Sequence, residues 1–202
     1  MSLWLAEAPL VLASKSAVRH AMLRDAGLSV EIAPADIDER AIEQQARLHD
    51  PGEVAALLAR EKARAIADRR PGRLVLGADQ TLALGERRFS KPTDRAAARE
   101  QLKALSGRTH ELHSAVALAR AGAIVFEHRE VARLTMRALS DRFLDAYLDA
   151  MGDAVTTSVG GYQLEKAGIQ LFERIDGDHF VILGLPLLAL LRFLRQEGCL
   201  AV

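Results

Sequence analysis

The chain has 202 residues, of which 50% are apolar and 27% are charged. A chain of this length and composition can bury a sizeable core, which excludes disordered and fibrous proteins. Lysine and arginine together number 27, as do aspartate and glutamate, so the formal net charge is +0. This balance excludes the long-range positive field of a general nucleic-acid binder, and we expect no nucleic-acid partner.

Cysteine usage and hydropathy predict a cytoplasmic location. Cys199 is the only cysteine, which excludes an intrachain disulfide and favours a reducing compartment. Residues 1–9 lack the basic flank and apolar run of an export signal. The most apolar stretch, Phe180 to Leu191, is interrupted by a glycine and a proline and is too short to span a bilayer. We therefore expect no membrane partner.

The first part of the chain predicts an alternation of short strands and helices. Leu10 to Ala13 is an apolar run typical of a strand, and the helix after it has Ser16 as its N-cap and Gly27 as its stop. A second strand is predicted over Val30 to Ala33, and a long helix runs from Asp50-Pro51 to Pro71-Gly72.

The remaining patterns complete a mixed α/β fold. Leu74 to Ala78 is an uninterrupted apolar run that predicts a strand buried on both faces, with Asp79 at its end. We expect the two lobes to share one continuous sheet within a single domain, 1–202. The other predicted elements are an extended segment (Thr81–Leu84), helices (Thr93–Leu105, Asp141–Met151, Pro186–Gln196), a hairpin (Thr109–Leu118 with Ile124–Met136), a strand (Leu171–Ile175) and a turn between strands (Asp176–Asp178).

Two segments could bind anions. Ser14, Ser16 and Arg19 stand at a strand-to-helix junction, where free backbone N–H groups and the helix dipole attract phosphate. The alternative is that Ser16 only caps the helix and Arg19 is solvated. Lys62, on the long helix, and Lys91 are further possible phosphate ligands, although most helix lysines are simply solvated.

Carboxylates could hold a metal or accept a proton. Asp79 follows a buried strand, where ligand sites of α/β sheets gather, but a strand-end aspartate can equally be a turn former. Asp36, Asp38 and Glu39 could hold Mg²⁺ or Mn²⁺ together with substrate phosphates, or could form a solvated acidic loop.

Several familiar motifs are excluded. His110 and His113 do not form a zinc signature, because an alternating strand places them on opposite faces. The sequence has no GxxxxGK[ST] loop, no GxGxxG and no nucleophile elbow.

Taken together, the motifs resemble the Maf family of nucleotide pyrophosphatases across nearly the whole chain. The opening Leu-Val-Leu-Ala-Ser14-Lys-Ser16-Ala-Val-Arg19 is similar to the family's A-S-x-S-P-R-R. The other matching segments, in chain order, are Asp38-Glu39, Glu61-Lys62-Ala63, Gly77-Ala78-Asp79, Lys91-Pro92, Leu105 to His110, Leu171 to Asp178 and Gly184 to Leu187.

The resemblance implies an elongated twisted sheet flanked by helices, with a central cleft between two lobes, and a homodimer. It implies hydrolysis of a nucleoside triphosphate to the monophosphate and pyrophosphate with a divalent cation, Mg²⁺ or Mn²⁺. Asp79 matches the proton acceptor, which could also act through the metal. The residues that would surround the phosphates and metal are Ser14, Arg19, Glu39, Lys62 and Lys91, and Ser16 of the same loop stays a further predicted phosphate ligand.

Three positions indicate the base. Gln80 and Glu165 are similar to the branch that acts on 7-methyl-GTP, and Val18 lacks the charge of the arginine found in the dTTP/UTP branch. A carboxylate at Glu165 can accept hydrogen bonds from N1 and N2 of guanine. The alternative is a salt bridge to Lys166.

Two other functions stay open at this point. One is a nucleotide-binding regulator of septum formation with little or no catalysis, the role after which the family was named. The other is a scavenger of damaged purine nucleotides, which would turn over inosine triphosphate fastest.

Overall fold

The computed structural model describes residues 3–202, so Met1 and Ser2 of the N-terminal segment considered above lie outside the description. Over these residues a single mixed sheet has the strand order β2-β1-β3-β5-β6-β7, with β4 paired to β3. The mixed α/β prediction is confirmed. The strands are β1 (Leu10–Leu12), β2 (Val30–Ile32), β3 (Val75–Leu84), β4 (Arg87–Phe89), β5 (Thr109–Arg120), β6 (Ala123–Met136) and β7 (Phe172–Asp176).

Helices cover the sheet, and their ends follow the predicted signals. The Ser16 side chain accepts the N–H of Arg19, and Asp50 accepts that of Glu53. Within the described part of the chain, no helix is both long and apolar enough to cross a membrane. The α-helices are α1 (Ala17–Asp25), α2 (Glu39–Ala46), α3 (Pro51–Ala67), α4 (Arg95–Leu105), α5 (Asp141–Met151), α6 (His179–Ile182) and α7 (Leu187–Gln196), and 3-10 turns cover Gly152–Thr156, Val159–Gly161 and Ala167–Leu171.

Four local predictions were wrong or incomplete, and helix capping explains three of them. Asp38 caps α2, so the acidic segment enters a helix that was not predicted. Asp94 caps α4, so this helix begins at Arg95 and not at the predicted Thr93. Asp178 caps α6, so Asp176–Asp178 joins a strand to a helix rather than two strands. Strand β4 was also not predicted.

Asp79 is not at the end of its strand. Strand β3 continues to Leu84, which places Asp79 fifth in a ten-residue strand. The parallel neighbour β1 is registered only with Val75 and Leu76, and β4 only with Leu82 to Leu84. Between them, Gly77–Thr81 faces no described strand along this edge. The site is therefore opened by the end of β1 and not by the end of β3.

The core divides along the sheet into clusters of buried side chains. One lies around α4, α5 and the distal half of the β5–β6 hairpin, and includes Leu102 and Leu134. A second lies around β1, α1 and α7, and includes Leu12 and Leu190. Small alanines of α3 pack on the other face of the same strands. Strands β3 and β5 run through these clusters; the division into two lobes of one domain with a central cleft stays a prediction.

A histidine is buried in the first cluster. His110 is 1% exposed, and its Nε2 lies 2.7 Å from the hydroxyl of Tyr162. Its Nδ1 has no hydrogen-bond partner among the described residues. Burial lowers the pKa of His110 to about 4. His113 lies on the opposite face, near Gly52 of α3, as the strand alternation predicted.

We expect His110 to make the protein less stable in mild acid. Between pH 6.5 and about pH 4 the unfolded chain binds a proton at this histidine that the folded chain does not bind. The free energy of unfolding therefore falls as the pH falls through this window, by about 3 kcal/mol from this group. Urea unfolding of the wild type and of His110→Phe at pH 7, 5.5 and 4.5 measures the difference.

The matched control is His49→Gln, because His49 is exposed. It should keep the wild-type dependence on pH, whereas His110→Phe should show a weaker one. Equal slopes in the wild type and His110→Phe would contradict a buried, neutral imidazole.

Candidate active site

Helix α3 lies unusually close to strand β3, and a glycine allows it. A Cβ at Gly77 would overlap the backbone oxygen of Ala59 and lie 2.7 Å from the nitrogen of Ala63. The alanines on this side of α3 are likewise small and buried. This approach brings Lys62, between Ala59 and Ala63 on α3, within reach of the β3 side chains on the same face.

Lys62 joins two carboxylates. Its Nζ lies 2.5 Å from Oδ1 of Asp79 and 2.8 Å from Oε1 of Glu39, the first residue of α2. Lys62 and Asp79 are each only 8% exposed. A buried charge is costly unless it is paired, and here a single ammonium is paired with both acids. Three predicted site residues from three elements are thus brought together.

The electrostatics suit a proton acceptor. Burial raises the pKa of Asp79 above its ordinary value, while the positive charges of Lys62 and Arg19 oppose the rise. A raised pKa brings a carboxylate nearer to the working pH of a general base. Burial lowers the pKa of Arg19, and the charges of Asp79 and Glu39 oppose that shift. Arg19 therefore belongs to the same charged cluster.

The Ser14 loop and Arg19 border this cluster. Arg19 Nη1 donates to the carbonyl oxygen of Ala78 at 2.8 Å and to Ser14 Oγ at 3.4 Å, and its Nε donates to the oxygen of Gly184 at 2.8 Å. Ser16 caps α1, as the alternative interpretation held. Arg19 is not merely solvated. Its guanidinium occupies the edge of β3 that no strand covers.

Two predicted residues are placed differently from that cluster. Gln80 points to the opposite face from Asp79, where its Nε2 contacts Ser114 and two backbone carbonyls of α6. Lys91 follows β4 and is exposed. Its side chain forms no ion pair or hydrogen bond with any residue between 3 and 202, so the structure does not join it to Asp79.

Val18 and Glu165 line one groove. A largely apolar cavity of about 570 Å³ lies between α1, α6 and α7, with Val18, Phe180 and Leu183 in its walls and Glu165 among its lining residues. Val18 is the neighbour of Arg19, so one end of the groove lies next to the charged cluster. Glu165 is exposed and forms no salt bridge with Lys166 within the described chain; the salt-bridge alternative is not observed.

The carboxylates near Lys62 could also receive a metal. Asp79 and Glu39 supply hard oxygen ligands that converge on one cationic position, and Mg²⁺ commonly uses only one or two protein carboxylates together with substrate phosphates. No group of three or more metal-binding side chains occurs within residues 3–202. Asp38 accepts the N–H of Ala41 as the cap of α2, and Asp36 is exposed. The donor set fits a metal shared with a phosphate ligand.

One buried polar residue at the site was missed by the sequence analysis. Ser114 is 0% exposed, and its Oγ donates to the oxygen of Val181 at 2.7 Å. No motif marks it, because its partners lie 34 and 67 residues away in the chain. Only the predicted pairing of β3 with the hairpin would have placed it beside Gln80.

The family described as Maf-like protein matches residues 9–197. The chain belongs to this family. The resemblance drawn from the motifs is thereby confirmed, and so is the choice of family over the P-loop and dinucleotide-binding classes.

Relatives match over the full length. A protein named nucleoside triphosphate pyrophosphatase from Rhodopseudomonas palustris (strain BisB18) is 59% identical over 201 residues, which is 100% of both chains. A protein named 7-methyl-GTP pyrophosphatase from Brucella abortus biovar 1 (strain 9-941) is 51% identical over 195 residues, 95% of this chain and 97% of that relative. Among solved structures, a HAM1 protein from Coxiella burnetii superimposes with a TM-score of 0.43 at 20% identity, over 63% of this chain and 72% of that one.

We expect Gly77→Ala to disrupt the contact on which the Lys62 position depends. The added methyl group would overlap backbone atoms of α3, which cannot rotate away. The free energy of unfolding should fall by about 3 kcal/mol, measured by urea unfolding.

Gly52→Ala, on α3 itself, is the control. Its Cβ would meet side-chain atoms and no backbone, namely Asp50 Oδ1 at 3.1 Å, His113 Nδ1 at 3.4 Å and Arg129 Nη1 at 3.5 Å. An alanine in a helix is also favourable. The close approach of α3 would be contradicted if both variants were equally stable.

Proposed function

We propose that this Maf-like protein is a metal-dependent nucleoside triphosphate pyrophosphatase. It hydrolyses the α–β phosphoanhydride and releases the nucleoside monophosphate and pyrophosphate. The observation that carries the proposal is the buried Asp79, paired with Lys62 beside Arg19 and Glu39. The names of the full-length relatives support the same reaction.

Asp79 is proposed as the proton acceptor for the attacking water. The water oxygen forms a bond to the α-phosphorus, its proton passes to the Asp79 carboxylate, and the bond to the bridging oxygen breaks so that pyrophosphate leaves with the electron pair. Lys62 and Arg19 offset the negative charge that develops on the phosphate oxygens. Ser14, Ser16 and the more distant Lys91 are proposed as further phosphate ligands.

Asp79 and Glu39 are proposed to hold Mg²⁺ or Mn²⁺. When bound, such an ion neutralises phosphate charge and lowers the pKa of a water. With an ion held by these carboxylates, the Lys62 ammonium would be available to the phosphate chain, because its side chain is long and flexible. Metal removal by a chelator should abolish turnover while leaving the fold intact, because Lys62 continues to pair with both acids.

The base is proposed to lie along the groove that contains Val18 and Glu165. A purine fits an apolar wall formed by Val18, Phe180 and Leu183, and Glu165 supplies acceptors for N1 and N2 of guanine. The name of the Brucella relative supports 7-methyl-GTP as the substrate. A cationic, methylated purine would also be attracted by the charge of Glu165. A cytoplasmic location, supported by the cysteine usage, and a homodimer, supported by the family resemblance, complete the proposal.

Replacement of the proton acceptor tests the reaction. Asp79→Asn should lower kcat by at least about 100-fold, because general-base catalysis contributes about 10²–10⁴-fold. Pyrophosphate release measures kcat.

Asp153→Asn, at an exposed aspartate, is the control and should retain full activity. A folded Asp79→Asn protein with near wild-type turnover would remove the assigned base. The assay should cover canonical and modified triphosphates, each with Mg²⁺ and Mn²⁺. Binding of nucleotides without any hydrolysis across this panel would favour the septum regulator instead.

The base assignment has its own test. Glu165→Gln keeps the shape of the side chain but removes its charge, so kcat/KM for 7-methyl-GTP should fall by about 10-fold or more, while that for UTP changes little. Glu173→Gln, at an exposed glutamate on β7, is the matched control. A parallel loss for both nucleotides would contradict recognition of guanine by Glu165.

A further inference from the structure

Gln80 lies next to Asp79, but all of its described contacts are inside the protein. Its Nε2 lies 3.0 Å from Ser114 Oγ, 3.1 Å from the oxygen of Val181 and 3.0 Å from that of Ile182. An amide nitrogen carries only two N–H bonds, and these face three acceptors. The amide nitrogen is therefore already engaged, and has no free N–H for a nucleotide.

The acceptors have a common origin at the end of a helix. The last carbonyl groups of any helix lack partners within it, and α6 is only four residues long. Gln80 supplies donors to two of these carbonyls, at Val181 and Ile182. Ser114 strengthens the arrangement, because its hydroxyl donates to Val181 and accepts from Gln80.

The Gly184 carbonyl, two residues after Ile182, is linked to β3 through Arg19 of α1. Arg19 donates to the oxygen of Gly184 and also to that of Ala78, the residue before Asp79. The segment from Val181 to Gly184 is thus hydrogen-bonded to Gln80, the residue after Asp79. It is also linked through Arg19 to Ala78, the residue before Asp79. The same stretch of chain supplies three lining residues of the groove, His179, Phe180 and Leu183.

We propose that Gln80 is a positioning residue for nucleotide selectivity, which acts by fixing the α6 wall of the groove with the help of Ser114 and not by touching the base. This inference rests on the proposed function, because the α6 wall can affect nucleotide selectivity only if the groove binds the nucleobase. By this route a residue on the opposite face from Asp79 would influence which nucleotide reaches Asp79. A shorter side chain such as threonine would not reach the carbonyls of α6.

Hydrogen exchange without nucleotide tests the positioning directly. In Gln80→Leu, which lacks the donors, the amides of Leu183, Gly184 and Leu185 should exchange at least about 10-fold faster, because they bond to carbonyls of α6. In Ser114→Ala the same amides should also exchange faster than in the wild type. Gln170→Leu, at an exposed glutamine, is the control and should leave them unchanged. Wild-type exchange in Gln80→Leu would overturn the proposal.

Kinetics then separate positioning from contact. For Gln80→Leu we expect KM for the preferred nucleotide to rise about 10-fold, kcat to stay within about threefold, and the selectivity between 7-methyl-GTP and UTP to narrow. Ser114→Ala should narrow it too, although Ser114 is 0% exposed and cannot touch a nucleotide. A change in Gln80→Leu alone would indicate direct contact and overturn the proposal.

The two proposals fail differently. A wild-type protein without pyrophosphatase activity refutes the function, while the exchange of the α6 amides still decides whether Gln80 holds the wall. If the protein is active but neither Gln80→Leu nor Ser114→Ala changes amide exchange or nucleotide selectivity, only the positioning role is refuted.

Discussion

The close packing of α3 on β3 at Gly77 governs the chemistry of this molecule. Because no side chain separates the two backbones there, the Lys62 ammonium reaches the buried carboxylate of Asp79 and the half-exposed carboxylate of Glu39. Burial raises the pKa of the Asp79 carboxyl, and the positive charge of Lys62 opposes the rise. These opposing effects would be weaker at a solvated surface, where charges are screened and desolvation is small.

The two faces of β3 separate the proposed catalytic residue from the proposed base groove. Odd-numbered residues such as Asp79 face α3, and even-numbered ones such as Gln80 face α6 and the neighbouring Ser114. One residue step along a strand therefore separates the proposed chemistry from the wall of the proposed base groove. Substitutions on the Gln80 face can therefore alter the groove wall without disturbing Asp79, because the alternating side chains share a backbone but lie in different environments.

Local signals in the sequence predicted most of the elements, but not where β1 and β3 end relative to each other. The helix caps at Ser16 and Asp50 and the buried strand before Asp79 were readable, since they depend on neighbouring residues. The placement of Asp79 in mid-strand was not, because it depends on a partner that stops at Leu12. Lys62 was predicted as a possible phosphate ligand on the long helix, and its pairing with two carboxylates emerged only from the packing. Ser114 could not be predicted from local sequence, because its hydrogen-bond partners are distant in the chain.

The uncovered stretch Gly77–Thr81 has a consequence for solubility. Unpaired backbone groups at a sheet edge invite pairing with another chain, and proteins commonly block such edges with charged side chains. Here the Arg19 guanidinium donates a hydrogen bond to the carbonyl oxygen of Ala78, in the gap between β1 and β4. The Ala78 carbonyl is therefore engaged within the chain, and the open edge offers one acceptor fewer to a strand of another molecule.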